Sequence, residues 1–166
     1  MMPQKKYKIS IVPGSFDPIT NGHVDVIRRA AEQSETVYVA VMINEMKKYL
    51  FSLDERRKIA EAACGELPNV KVISSSGMLW ELARDLSAEA IIKGVRNEKD
   101  REYELVMAKY NSEHYPSAQT VLLEASEELS DVSSTLVRGV IENDGEIRKY
   151  MPKAAAELAE KIIKNR

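Results

Sequence analysis

Short apolar blocks alternate with amphipathic blocks along the chain. Tyr7 to Val12 is an apolar run that reads as a buried first strand. After a polar loop, His23 to Ser34 carries Val24, Ile27, Ala30, Ala31 and Ser34 on one side of a helix. Thr36 to Ile43 is almost continuously apolar, as expected of a parallel strand covered on both faces. Ser52, with Glu55 three residues on, predicts a capping box and a helix to about Cys64, with Gly65 as its stop. Further strands are predicted at Val70 to Ile73, at Ala90 to Ile92 with a break at Gly94, and at Thr120 to Leu123. Further helices are predicted from Ser76 or Gly77 through Arg84, from Asp100 to about Glu113, from Ser133 to about Asn143, and from Pro152 to Lys164. This alternation predicts an α/β fold: a Rossmann-like, doubly wound, five-stranded parallel sheet with helices on both faces. Ligands of such sheets sit beyond the carboxyl ends of the strands. The chain places its unusual residues in the loops after the first, second, fourth and fifth strands, all on that edge.

Composition narrows the class without naming a chemistry. With 166 residues the chain fits a single domain, 1–166. Its 44% hydrophobic and 30% charged residues are those of an ordinary soluble globular protein. A net charge of −2 supplies no general attraction to nucleic acid or to an anionic membrane, so any basic site must be local. No apolar run approaches the ~20 residues of a membrane span, and the first eight residues lack an apolar signal core. Cys64 is the only cysteine, which excludes an intrachain disulfide and suits a cytoplasmic protein. Two distant histidines without a cysteine cluster give no reason to expect zinc.

The chemistry concentrates in Val12-Pro13-Gly14-Ser15-Phe16-Asp17-Pro18-Ile19-Thr20-Asn21-Gly22-His23. A strand, a tight loop and a helix N-terminus together favour an anion, through free N–H groups and the helix dipole. Gly14 permits close backbone approach, while Pro13 and Pro18 stiffen the loop. The spacing matches neither the dinucleotide glycine pattern nor a P-loop. Taken alone, Gly22-His23 reads first as a structural turn with a capping histidine; the whole string reverses that reading. Lys47 and Lys48 lie in a polar loop, either as solvated charges or as point charges for a phosphate. Lys93-Gly94-Val95-Arg96 ends a strand with two cations that one cleft can receive. Asp100, Glu102 and Glu104 suit the start of a helix. Ser133-Ser134-Thr135 suits a helix cap or a set of phosphate donors.

The first string resembles the signature of the nucleotidylyltransferase superfamily, Gly-x-Phe-Asp-Pro-x-x-x-Gly-His. Together with Lys47-Lys48, Lys93 to Arg96, Glu102-Tyr103-Glu104 and Ser133 to Arg138, it makes nearly the whole chain resemble the bacterial phosphopantetheine adenylyltransferase family. The resemblance implies transfer of AMP from ATP to 4'-phosphopantetheine, giving dephospho-coenzyme A and pyrophosphate in cytoplasmic coenzyme A biosynthesis. It implies catalytic roles for His23, Lys47 and Arg96. It implies ATP contacts from Ser15, Phe16, His23, Gly94, Val95, Arg96 and Glu104, and from Leu129, Ser130, Asp131, Val132, Ser133, Ser134 and Thr135. Acceptor contacts fall on Ser15, Lys47, Leu79, Lys93 and Asn111. The family usually has Arg where Lys93 stands, an aromatic residue near Leu129, an apolar one near Asp131 and Glu at Gly139. Mg²⁺ bridging phosphate oxygens, a homohexamer of two trimers and coenzyme A as feedback inhibitor are further implications. A nucleotidylyltransferase for glycerol phosphate or nicotinamide mononucleotide, and a non-catalytic nucleotide or coenzyme A sensor, stay open as alternatives. A phosphate monoester is largely an oxyanion at neutral pH, its second pKa lying near about 6. Such an acceptor needs no general base, so His23 is read as an N–H donor to the α-phosphate.

Overall fold

The computed structural model describes residues 4–166. Five strands form one parallel sheet: β1 (Tyr7–Gly14), β2 (Ser34–Met42), β3 (Val70–Ser75), β4 (Ala90–Val95) and β5 (Gln119–Glu124). Their spatial order is β3-β2-β1-β4-β5, so the winding reverses at β1. Between and after them run α1 (Asn21–Gln33), α2 (Leu53–Ala63), α3 (Leu79–Leu86), α4 (Glu98–His114), α5 (Ser134–Glu142) and α6 (Lys153–Lys164). Successive strand side chains point to opposite faces, so the sheet feeds two cores. Val12, Val37, Val39, Val41 and Ile92 pack with Ile27 of α1, Ile59 of α2, Val137 of α5 and Ala156 of α6. Ile11, Ala40 and Ile91 face the other way and pack with Ala83 and Leu82 of α3. Burial from both sides is why the strands read as unbroken apolar runs. Among the described residues no helix is long and apolar enough to cross a membrane.

The register opens the site. β1 stays paired with β2 as far as Gly14↔Val41. With β4 it is in register only at Ser10↔Ala90 and Ile11↔Ile91. Past Ile11 the two strands part, leaving a crevice where the winding reverses, the usual ligand position in such sheets.

Several boundaries differ from the sequence expectation for local reasons. α1 starts at Asn21, before His23, because Thr20 is its cap. β4 does not break at Gly94 but runs on to Val95. A Cβ at Gly94 would stand 2.8 Å from Cγ2 of Val26, so this glycine lets α1 approach the strand. α4 begins at Glu98 because Asn97 caps it, its Oδ1 accepting the N–H of Asp100 at 2.9 Å. α3 begins at Leu79, after the Ser76-Gly77 pair. Gly65 is no left-handed stop, since no described glycine has a positive φ. A short 3-10 turn at Glu127–Leu129 precedes α5, where the sequence pattern predicts no element.

Candidate active site

Loops from four strands meet at the mouth of the β1/β4 crevice, around a cavity of about 780 Å³. The β1–α1 loop brings Ser15 and Phe16, the first turn of α1 brings His23, and the β2–α2 loop brings Lys47. The end of β4 brings Lys93, Gly94, Val95 and Arg96, and α4 brings Glu104. The segment leading into α5 brings Leu129, Val132, Ser133, Ser134 and Thr135. Leu79, Asn111, Ser130 and Asp131 are not part of this lining. Leu79 opens α3 and packs against the core on that face. Asn111 is buried two turns beyond Glu104, on the same side of α4. Ser130 donates its hydroxyl to the Glu127 carbonyl at 2.9 Å, and Asp131 is exposed. The buried residues of α4 are thus polar, while Tyr103, Leu105, Val106 and Tyr110 are exposed. That inverts the usual surface helix.

His23 takes the place that Glu or Gln holds in an ordinary capping box. Its Nδ1 accepts the N–H of Thr20 at 3.0 Å, with Thr20 Oγ1 3.1 Å away. A backbone N–H can only donate, so in the neutral ring the proton sits on Nε2. Burial first, and the charge of Arg96 second, lower the pKa from 6.5 to about 4. The ring is therefore neutral at pH 7. Phe16 meets it edge-on, with ring centres 5.1 Å apart. Phe16 is buried and has a φ of 47°, a left-handed conformation. Such strain costs a non-glycine residue on the order of 1–3 kcal/mol. A Cβ at Gly14 would press on the Phe16 ring at 3.0 Å, so the glycine makes room for it.

Both cations at the end of β4 have carboxylate partners. Lys93 Nζ lies 3.0 Å from each oxygen of Glu104, with Oε1 the aligned acceptor. The buried Oε2 lies against the same ammonium without an aligned donor. Arg96 Nε lies 3.3 Å from Oδ2 of Asp100, which also accepts the Arg96 N–H at 3.2 Å. Lys47 is exposed on its loop. Among the described residues no group of His, Cys, Asp and Glu is placed to hold a metal ion.

Two buried charges tie the loops together: Asp17, part of the first string but given no role of its own there, and Arg56, which the sequence motifs do not include. Asp17 accepts the N–H groups of Leu50 at 2.9 Å and Phe51 at 3.0 Å. Arg56, 1% exposed, donates to the carbonyls of Ser15 at 2.7 Å, Met42 at 3.1 Å and Phe51 at 3.3 Å. The Tyr49 ring covers its guanidinium at 3.8 Å. A signal was present: Arg56, Ile59 and Ala60 share one face of α2, so a cation stands in an apolar stripe. From α5, Ser134 Oγ donates to the Pro18 carbonyl at 2.7 Å and Arg138 to that of Asp17 at 2.9 Å. Ser133 caps α5 by accepting the Leu136 N–H at 3.1 Å.

A family model described as Cytidylyltransferase-like matches residues 11–140. A relative named Phosphopantetheine adenylyltransferase from Alkaliphilus oremlandii (strain OhILAs) is 46% identical over 145 residues, 87% of this chain and 92% of the relative. One of the same name from Clostridium perfringens (strain 13 / Type A) is 42% identical over 157 residues, 94% of this chain and 96% of the relative. Similar solved structures include a bifunctional NMN adenylyltransferase/ADP ribose pyrophosphatase from Francisella tularensis, with a TM-score of 0.67 at 16% identity over 93% of this chain and 49% of that one. The same enzyme complexed with AMP and MN ion gives 0.71 at 18% identity, over 95% and 49%. The chain spans about half of those two-activity chains, and at that identity they show the fold alone. Identity above 40% along nearly the full length of both chains carries the assignment further: this chain belongs to the phosphopantetheine adenylyltransferase family of the nucleotidylyltransferase superfamily.

Proposed function

We propose that the cavity binds ATP and 4'-phosphopantetheine together and transfers the adenylyl group to the acceptor, giving dephospho-coenzyme A and pyrophosphate. The observation that carries this reading is the state of His23: a neutral ring with Nδ1 occupied is a hydrogen-bond donor, not a base. The acceptor phosphate attacks the α-phosphorus as an oxyanion, its second pKa lying near about 6. A P–O bond forms, the bond to pyrophosphate breaks, and no proton has to be removed. His23 then donates from Nε2 to an oxygen of the α-phosphate as charge builds there. One such donor is worth about 3–4 kcal/mol, against at least about 8 kcal/mol for enzyme-scale acceleration. Holding two reactants in line supplies about 7–11 kcal/mol, and Ser15, Lys47 and Arg96 share the remaining charge.

In this reading Lys93 takes the acceptor's phosphate, and the carboxylate of Glu104, which lines the cavity, takes a ribose hydroxyl of ATP. Phe16, Gly94, Val95 and the segment from Leu129 to Thr135 surround the nucleotide. Leu79 and Asn111 serve the pantetheine arm from the α3–α4 side. Of the carboxylates around the cavity, Asp17 is held by backbone N–H groups, Asp100 by Arg96 and Glu104 by Lys93. Mg²⁺ therefore enters as part of the substrate, held by phosphate oxygens and water. Coenzyme A contains both a pantetheine arm and an adenine nucleotide, which fits it to compete for the cavity as feedback inhibitor. The apolar side chains exposed on α4 support assembly, proposed here as a homohexamer of two trimers. Cytoplasmic action suits the lone Cys64, whose thiol burial pushes up to about 11.

The deciding experiment is pyrophosphate release from ATP and Mg²⁺ with phosphopantetheine, glycerol phosphate or nicotinamide mononucleotide as acceptor. Release with phosphopantetheine alone is the expected result. Release only with another acceptor, or ATP binding without release from any of them, overturns the reading.

A further inference from the structure

Arg56 lies outside the cavity, yet it joins the two loops that carry Ser15 and Lys47. Its guanidinium offers five N–H donors in a rigid plane. One bond reaches the Ser15 carbonyl on the β1–α1 loop at 2.7 Å. Two more reach Met42 at 3.1 Å and Phe51 at 3.3 Å, which bracket the segment containing Lys47. Asp17 closes the same junction from the other side, through the N–H groups of Leu50 and Phe51. A cation with 1% exposure is costly to bury, and a hydrocarbon of similar size would fill the space at lower cost. What the guanidinium adds is a simultaneous hold on three carbonyls, one in the β1–α1 loop, one at the end of β2 and one in the β2–α2 loop.

We propose that Arg56 is a positioning residue for the adenylyl transfer. By fixing the Ser15 and Lys47 loops against each other it sets the in-line approach of the two phosphates, and it touches neither substrate. The proposal rests on the reading of the cavity given above. A misplacement of about 1 Å at the reacting atoms costs about 100-fold in rate. Arg56→Lys keeps the charge and loses the three-way hold, so it lowers kcat by about 10- to 100-fold while both KM values stay within about threefold. In a Lys47→Ala background the same change lowers kcat by less than about threefold, because the loop it positions no longer carries its cation.

A merely structural role lowers the active fraction by the same factor in both backgrounds. Tyr49→Leu uncovers one face of the guanidinium and also removes the acceptor of the Asn44 N–H, so it is compared with Tyr49→Phe, which loses that acceptor alone; the further loss in Tyr49→Leu is smaller than that of Arg56→Lys and has the same background dependence. This comparison serves if Arg56→Lys does not fold. Equal losses in the two backgrounds, or KM values rising as far as kcat falls, overturn the proposal while leaving the function intact. A wild-type chain that releases no pyrophosphate with phosphopantetheine overturns the functional reading and the proposal with it.

Discussion

At His23 one hydrogen bond fixes the tautomer and shapes the response to pH. A second proton on the ring would have to displace the Thr20 N–H from Nδ1. The folded pKa is about 4 and the ordinary value 6.5, so between them the unfolded chain binds a proton that the folded chain refuses. Stability therefore rises with pH through that window, is complete above about 6.5, and is lost as pH falls toward about 4. At about 1.4 kcal/mol per pH unit the loss from this residue is about 3 kcal/mol. His23→Gln keeps a capping acceptor and does not titrate. Its urea midpoint should fall less than that of the wild type between pH 6.5 and 4.5, and equal falls would contradict the assignment. The same variant should lower kcat by about 100-fold with ATP affinity changed less than about threefold. Affinity lost in proportion to rate would mean that His23 only binds.

Lys93 and Glu104 make a second pair whose members cannot be changed singly without cost. Their side chains are 28% and 10% exposed, between the surface and the buried case. Lys93→Ala leaves the carboxylate unpaired and should cost about 2 kcal/mol. Lys93→Ala with Glu104→Gln should recover most of that in urea unfolding, while the KM for phosphopantetheine stays raised. If the double variant is no more stable than the single one, the pair does not carry the charge balance of the site.

Among the elements, β4 and α1 show how a close contact can be misread from sequence. Glycine signals both a break in a strand and the near approach of a neighbour. At Gly94 only Val26, far back in the chain, tells which applies. Gly94→Ala puts a methyl 2.8 Å from Val26 Cγ2 and so pushes α1, with His23 on its first turn, off the strand. A loss of about 1–3 kcal/mol is expected from such overpacking. Val26→Ala in the same chain should restore most of the thermal midpoint and of kcat; no recovery would place the damage elsewhere. The other elements were legible because parallel strands buried on both faces stay apolar without interruption, and because Ser52-Glu55 is a self-contained capping box. What local pattern could not supply was the short β1–β4 register, which creates the crevice through pairing distant in sequence.

Over the whole molecule, the parts of the site carried by contiguous strings were readable, and the parts built across the fold were not. Gly14 to His23 and Lys93 to Arg96 announce themselves. The Arg56–Ser15 bond spans 41 residues and the Phe51–Asp17 bond 34, and both use backbone atoms that any sequence would provide. The outward side of α4 belongs to this scale too. Val106 and Tyr110, one turn apart, point away from Glu104 and Asn111, whereas the exposed Tyr103 stands at the rim of the cavity. Val106 is 68% exposed and Leu105 53%. An isolated chain would leave this stripe in water, where burying each such aliphatic side chain is worth about 1.5–3 kcal/mol. The same helix carries Glu104 to the cavity on its other side, so a second copy packed on the stripe would brace the site as well as cover apolar surface. Sedimentation of the wild type should give six times the chain mass of 18.7 kDa. Val106→Glu should give a smaller species with a raised KM for ATP, because α4 loses its outer support while its cavity residues are unchanged. A wild type that sediments as a monomer at micromolar concentration would remove the assembly. A hexamer indifferent to Val106→Glu would move the interface to another face.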